Sequence, residues 1–212
     1  MTDFSHLNTT SPNCVFAMQG VDVQRGDFVL CSDVRLTLHA GDICHLIGEN
    51  GLGKTTLLSQ IAGILPMMTG KMMIAGDLAP VYVSHQLGIS EHLTVAQNLQ
   101  FLLSLYGVDG SKTVIEQALE RVGLQGLEQM PSGQLSAGQS RRVGLARLFV
   151  LDVEQSPFWL LDEPLTALDV AMVADIEERI RQFASCGGAV LMTSHQLVRI
   201  HNCTLDLAEF AL

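Results

Sequence analysis

The run Gly48-Glu49-Asn50-Gly51-Leu52-Gly53-Lys54-Thr55-Thr56 has the spacing G-x-x-x-x-G-K-T. Glycines at this spacing let the backbone wrap until successive N–H groups point at phosphate oxygens. A lysine placed like Lys54 reaches the β- and γ-phosphates of a nucleoside triphosphate, and a hydroxyl placed like that of Thr55 ligates Mg²⁺. With glycine at about 7% of residues, a chance match to the four specified positions in a chain of this length is of order one in a hundred. A second group lies far along the chain. Phe158-Trp159-Leu160-Leu161-Asp162-Glu163 is an apolar run followed by two carboxylates. A buried central strand ending in acid is how phosphate-loop enzymes hold Mg²⁺. The expected division is Asp162 on the metal through water, and Glu163 polarising the water that attacks the γ-phosphate.

Both groups need strands and helices to aim them. Apolar runs predict strands over 27–30, 34–38, 42–47, 71–74, 81–84, 158–161 and 189–193. Helical patterns are expected over 54–63, 95–105, 112–122, 137–151, 171–186 and 195–200. Strands alternating with helices imply an α/β fold with a mostly parallel sheet at its centre. The phosphate loop then falls between a strand and a helix, where the helix adds the positive end of its dipole. Residues 1–13 are polar and expected to be flexible. Residues 14–212 are expected to form one domain. Its core comprises 14–86 and 134–212, and 87–133, which carries only helical patterns and turn residues, reads as an inserted helical subdomain.

Composition bounds the rest. The chain has 212 residues, 12 basic and 22 acidic, for a net charge of −10, and 48% of it is hydrophobic. That hydrophobic share excludes disorder as the main state. The acidic balance argues against a nucleic-acid partner, which would need basic clusters facing phosphate. No apolar run approaches the ~20 residues that span a bilayer. The polar start is not expected to be a signal peptide. Five scattered cysteines, an odd number with no C-x-x-C, argue against a disulfide framework or a zinc site. They are expected to be reduced and to act as small buried apolar residues.

Further motifs narrow the class. Leu135-Ser136-Ala137-Gly138-Gln139 resembles the LSGGQ signature of ABC ATPases, with Ala137 at the second-glycine position. Thr166-Ala167-Leu168-Asp169 resembles their D-loop, Ser194-His195 their switch histidine, and Gln86 their Q-loop glutamine. The motifs come in the family's order across nearly the whole chain. The resemblance implies a phosphate-loop NTPase fold with an N-terminal antiparallel β element, and ATP and Mg²⁺ as ligands. It also implies a head-to-tail homodimer with ATP at the interface. Ser136 and Gly138 open the predicted helix 137–151, so their N–H groups can bind the γ-phosphate held by the other subunit. By the same resemblance Glu163, His195 and Gln86 are catalytic, and Thr55, Gln86 and Asp162 hold the metal. Asp169 contacts the phosphate loop across the dimer.

Two departures and one narrower likeness complete the reading. The family's adenine-stacking aromatic falls at Arg25, whose guanidinium plane can also stack on a base. Phe28, the nearest aromatic, lies in the predicted strand 27–30 and is expected to be core. The segments Ser84-His85-Gln86, Gln134-Leu135-Ser136-Ala137-Gly138-Gln139 and Thr193-Ser194-His195-Gln196 resemble the ATPase subunits of cytochrome c maturation systems. That likeness implies a peripheral protein on the cytoplasmic face of a bacterial inner membrane. Its partners would be the integral membrane subunits of that complex and, indirectly, a haem chaperone. A membrane-partner groove would be lined by 86–105, where Leu99, Phe101, Leu102 and Leu105 have helical spacing that equally fits packing within the helical subdomain.

Overall fold

The computed structural model describes residues 13–67, 69–196 and 199–212. Among the described residues, eight strands and five α-helices follow in the order β1 (Cys14–Arg25), β2 (Phe28–His39), β3 (Ile43–Ile47), α1 (Lys54–Ile61), β4 (Lys71–Ile74), β5 (Val81–Val83), α2 (Val95–Ser104), α3 (Lys112–Arg121), α4 (Ala137–Ala146), β6 (Phe158–Leu161), α5 (Val170–Ser185), β7 (Ala189–Met192) and β8 (Cys203–Asp206). A five-stranded parallel sheet runs β5-β6-β7-β3-β8, and a three-stranded antiparallel sheet runs β2-β1-β4. The α/β architecture with an N-terminal antiparallel element is the one expected from sequence.

The parallel sheet is buried on both faces, which is why β6 and β7 read as unbroken apolar runs. Alternate residues serve opposite faces. Trp159, Leu161, Val190 and Met192 join a core that includes side chains of α2, α3, α4 and α5. Phe158, Leu160, Ala189 and Leu191 join a second core with α1 and the antiparallel sheet. Stacked aromatic pairs pin each side: Trp159 on Phe183 at 3.8 Å between ring centroids, and Phe16 on Phe158 at 4.5 Å. The C-terminal ends of β3, β6 and β7 therefore open onto one edge of a rigid platform.

Several elements differ from expectation. β1 is missing from the predicted strands because its burial does not alternate: Val15, Phe16, Ala17 and Met18 are all buried in succession. The predicted strands 27–30 and 34–38 are one strand, β2. The polar break at Ser32 and Asp33 is an irregularity in the β1–β2 ladder, with Asp33 at φ 57°. The Asp22 carboxylate accepts the Ser32 hydroxyl at 2.8 Å and the Asp33 N–H at 3.1 Å there. These donors hold the Asp22 carboxyl below its ordinary range, the Ser32 hydroxyl first. β8 was not expected, being a short, half-exposed edge strand without an apolar run. Helix α4 ends at Ala146 and continues as a 3₁₀ turn over Arg147–Phe149 rather than running to residue 151.

No helix forms over the described residues of 195–200; Leu197 and Val198 lie outside them. The Ser194 hydroxyl accepts the Gln196 N–H at 3.0 Å and competes with helical pairing. The expected flexible stretch 1–13 also lies outside the described residues, apart from Asn13, whose carbonyl accepts the Ala40 N–H at 2.9 Å. Among the cysteines, Cys31 and Cys44 are buried as expected, but Cys186 is exposed because it caps the C-terminus of α5.

Candidate nucleotide site

Residues 48–53 connect β3 to α1. Gly53 takes the N-cap position of α1 at φ 103°, and a Cβ there would lie 2.6 Å from Val23 Cγ1. Only glycine fits both the conformation and the approach to β1. Lys54 folds back and donates from Nζ to the carbonyls of Gly48 at 2.7 Å and Glu49 at 3.1 Å. A cavity of about 240 Å³ opens over the loop. Asn50, Gly51, Gly53, Lys54, Thr55 and Thr56 form its floor, Asp162, Glu163 and His195 border it, and Arg25 and Leu30 complete the lining. Leu52 packs back on the core beneath the loop, where its carbonyl accepts from Cys31 Sγ at 3.4 Å.

Asp162 follows β6 and is almost fully buried. Its Oδ2 accepts the Thr55 hydroxyl at 2.9 Å, and its Oδ1 accepts the Thr193 hydroxyl at 2.8 Å. A carboxylate beside a threonine hydroxyl at the base of a phosphate-sized cavity fits a hard cation. Among the described residues no cluster of three or more His, Cys, Asp or Glu side chains could hold a metal ion by itself. Such a sparse donor set suits Mg²⁺, which is bound through one or two carboxylates and completes much of its shell from substrate phosphates and water.

Glu163 stands at φ 53°, a left-handed conformation that costs a non-glycine residue roughly 1–2 kcal/mol. Surrounding groups hold it there. Its N–H donates to Thr193 Oγ1 at 2.9 Å, and the Arg141 guanidinium donates to its carbonyl. The turn sends the carboxylate toward the cavity, where Oε2 accepts the His195 N–H at 3.1 Å and the Thr166 hydroxyl at 3.3 Å. His195 Nε2 lies 3.5 Å from Glu163 Oε1. The structure thus brings the phosphate loop, both carboxylates and His195 together from distant parts of the chain.

The other predicted residues lie elsewhere. Leu135 precedes the N-cap of α4, and Ser136 to Gln139 form its cap and first turn, outside the cavity. Ser136 and Gln139 build a capping box: Ser136 Oγ accepts the Gln139 N–H at 3.2 Å, and Gln139 Oε1 accepts the Ser136 N–H at 2.9 Å. The hydroxyl proton of Ser136 remains free to donate to a ligand. Asp169 caps α5 by accepting the Met172 N–H at 2.9 Å, and it pairs with Arg142 of α4. The Met172 N–H, followed by the Arg142 charge, holds the Asp169 carboxyl below its ordinary range.

Gln86 is exposed and lines a separate groove of about 460 Å³ with Leu87, Glu91, Leu135 and Ser140. Its neighbour His85 lines the same groove and also approaches the site, with Nδ1 3.7 Å from Asp162 Oδ2. Along α2 the expected apolar stripe divides: Leu99 and Leu102 are core, whereas Phe101 and Leu105 are more than half exposed. Phe28 is not core. It is 76% exposed beside the end of the β1–β2 ladder, paired in register with Arg25.

Thr193 and Arg141 are the residues that sequence reasoning passed over. Thr193 is a polar residue closing an apolar strand, immediately before Ser194-His195. Arg141 is a charged residue on the buried face of α4, and burial pushes its guanidinium below the usual range while Asp162 and Glu163 pull it back.

This fold and this site define an ATP-binding cassette, and the chain belongs to that family: the model described as ABC transporter matches residues 31–166. The chain is an ATP-hydrolysing, ATP-binding subunit of an ABC transporter. It is similar to curated proteins named cytochrome c biogenesis ATP-binding export protein CcmA. The relative from Saccharophagus degradans is 39% identical, covering 91% of this chain and 93% of its own length. That from Rhodobacter capsulatus is 39% identical, covering 92% and 88%.

Among solved structures, a putative ABC transporter ATP-binding protein from Pyrococcus furiosus superposes with a TM-score of 0.78 at 24% identity, covering 93% of this chain and 99% of that one. A dimeric ATP-binding cassette in a post-hydrolysis state, bound to ADP and Pi, superposes with a TM-score of 0.76 at 21% identity, covering 91% and 94%. Dimerisation around ATP and partnership with membrane subunits are general properties of the family. Among the described residues no helix is long and apolar enough to cross a membrane.

Proposed function

We propose that this chain is the ATPase subunit of a cytochrome c maturation, or haem export, ABC complex on the cytoplasmic face of a bacterial inner membrane. Its ATP hydrolysis would power release of a haem-loaded haem chaperone. The observation that carries this reading is the similarity to CcmA proteins over 91% and 92% of the chain. The local segments Ser84-His85-Gln86 and Thr193-Ser194-His195-Gln196 support it. Outside that assignment, the alternative is the ATPase subunit of another small ABC exporter or importer.

The mechanism follows from the site. Backbone N–H groups of 48–56 cradle the phosphates, and Lys54 leaves the carbonyls of Gly48 and Glu49 to reach the β- and γ-phosphates. Thr55 and Asp162, with Gln86 as third ligand, would hold Mg²⁺, which neutralises phosphate charge when bound with the nucleotide. For Gln86 to do so, its loop must move inward from the groove it lines. Glu163 takes the proton of the attacking water as the bond to the γ-phosphorus forms and ADP leaves. His195 donates to the γ-phosphate and keeps Glu163 aligned through the contacts already in place.

The signature residues Ser136, Ala137 and Gly138 lie on the surface or near it, outside their own chain's cavity. They close the site of a second copy, head to tail, with the α4 N-terminus facing that copy's γ-phosphate. Asp169 meets the partner's phosphate loop. Arg25 stacks on the base, with Phe28 beside it. The groove of Gln86 and the exposed Phe101 and Leu105 form the docking face for the membrane subunits.

The test is Glu163→Gln. The variant is expected to bind ATP, trap the dimer and have its hydrolysis reduced by roughly 10²-fold or more. Purified with ATP from gently solubilised native membranes, it should bring down cytochrome c maturation subunits with a haem absorbance band. Recovery of a different permease would leave the ATPase mechanism standing and refute the haem assignment.

A further inference from the structure

One side chain ties the signature helix to the turn that carries Glu163. Arg141, in the second turn of α4, is 7% exposed, and its terminal nitrogen donates to the carbonyl of Asp162 at 3.2 Å and to that of Glu163. Both partners are backbone carbonyls rather than carboxylates. A buried guanidinium is costly to desolvate, and a site needing only volume would be filled more cheaply by an apolar side chain. What the charge supplies here is a grip on two particular oxygens.

Those oxygens belong to the peptide units on either side of the Glu163 Cα. Each peptide unit is planar, so fixing both carbonyls fixes the two soft dihedrals between them. The conformation so held is the left-handed one at φ 53°, which a glutamate does not adopt by preference. Thr193 holds the Glu163 N–H, and the Glu163 carbonyl also accepts the Thr166 N–H at 3.3 Å.

We infer that Arg141 is a positioning residue for ATP hydrolysis, clamping the peptide planes that flank Glu163 and thereby aiming its carboxylate into the cavity. The inference rests on the reading of Glu163 as the general base. It also references the catalytic turn to α4, whose first turn carries the signature residues.

The test uses the full-length chain in four forms: wild type, Arg141→Met, Glu163→Gln and the double variant. Steady-state ATP hydrolysis is measured beside equilibrium binding of a fluorescent ATP analogue. Arg141→Met is expected to lower kcat about 10- to 100-fold, the scale of a small misplacement of a catalytic group. Analogue affinity should stay within about threefold, and Arg141→Lys should recover part of the rate. Because the clamp acts only through Glu163, adding Arg141→Met to Glu163→Gln should lower the residual rate by less than about twofold.

A wild-type rate in Arg141→Met beside a crippled Glu163→Gln overturns the clamp and leaves the base assignment standing. An equal fold-loss in both backgrounds also overturns it, because Arg141 would then act elsewhere. A wild-type rate in Glu163→Gln removes the base assignment and the clamp together. If Arg141→Met does not fold, Arg141→Gln, which keeps a neutral donor and most of the volume, replaces it under the same criteria.

Discussion

Replacing Thr193 with valine should separate two hydrogen bonds from one methyl-sized volume. Thr193 closes β7 with no exposed surface. Its hydroxyl donates to Asp162 Oδ1 at 2.8 Å and accepts the Glu163 N–H at 2.9 Å. Valine keeps the branched shape and loses both bonds. A hydrogen bond to a charged group contributes about 1.5–3 kcal/mol and a neutral one about 0.5–1.5 kcal/mol, so the loss comes to about 3 kcal/mol. Thr55 still serves the other oxygen of Asp162, which keeps the loss from rising further.

With an m-value of about 2–3 kcal/mol/M, the urea midpoint should fall by about 1–1.5 M. ATP hydrolysis should fall with it, because the N–H of Glu163 is no longer tethered. Thr193→Ser keeps the hydroxyl and should return stability to within about 1 kcal/mol. A Thr193→Val protein that unfolds within about 0.5 kcal/mol of wild type would refute the assignment of these bonds as supports of the acidic turn.

Two further perturbations probe the frame around the site. Asn98 of α2 is buried and donates to the carbonyls of Ser90 at 2.9 Å and Thr94 at 3.2 Å and to the Ser132 hydroxyl at 2.8 Å, while its Oδ1 accepts the Ser90 N–H at 2.8 Å. Asn98→Ala leaves several of these groups unpaired and should destabilise the protein by about 2–4 kcal/mol in urea titration; a loss under about 0.5 kcal/mol would show that water replaces the side chain freely. His45 is half-buried beside the Ser194 carbonyl and the His201 ring, and burial pushes its imidazole below the ordinary range. The folded state then binds fewer protons than the unfolded one, so the stability it contributes is present above pH ~6.5 and lost as pH falls through the lowered value. The melting temperature of wild type should drop between pH 7 and 5 more than that of His45→Gln; equal slopes would refute the assignment.

Much of the chemistry could be read from local order because it depends on residues adjacent in sequence. The phosphate loop is one continuous segment whose glycine spacing is a backbone requirement, and the same holds for the acid pair after β6. Burial on both sheet faces made β6 and β7 visible as apolar runs. β1 escaped for a related reason: consecutive burial of Val15 to Met18 removed the alternation that marks a half-buried strand. β8 escaped because an edge strand needs little apolar surface. Phe28 was taken for core on its residue type, yet it stands exposed where the β1–β2 ladder ends.

From the chain's own order came the α/β class, the phosphate loop, the acid pair and the signature, because each is written in contiguous residues with a fixed backbone purpose. Only the folded arrangement showed that Thr193 and Arg141 hold the turn of Glu163, that His85 rather than Gln86 faces Asp162, and that Asp169 already caps α5 and pairs with Arg142. These contacts join residues 21 to 77 positions apart, counted from Arg141 to Asp162 and from His85 to Asp162, except for the local cap at Asp169. No spacing rule links such residues, because it is the packing of α4 and β7 against the end of β6 that sets which donor meets which carbonyl.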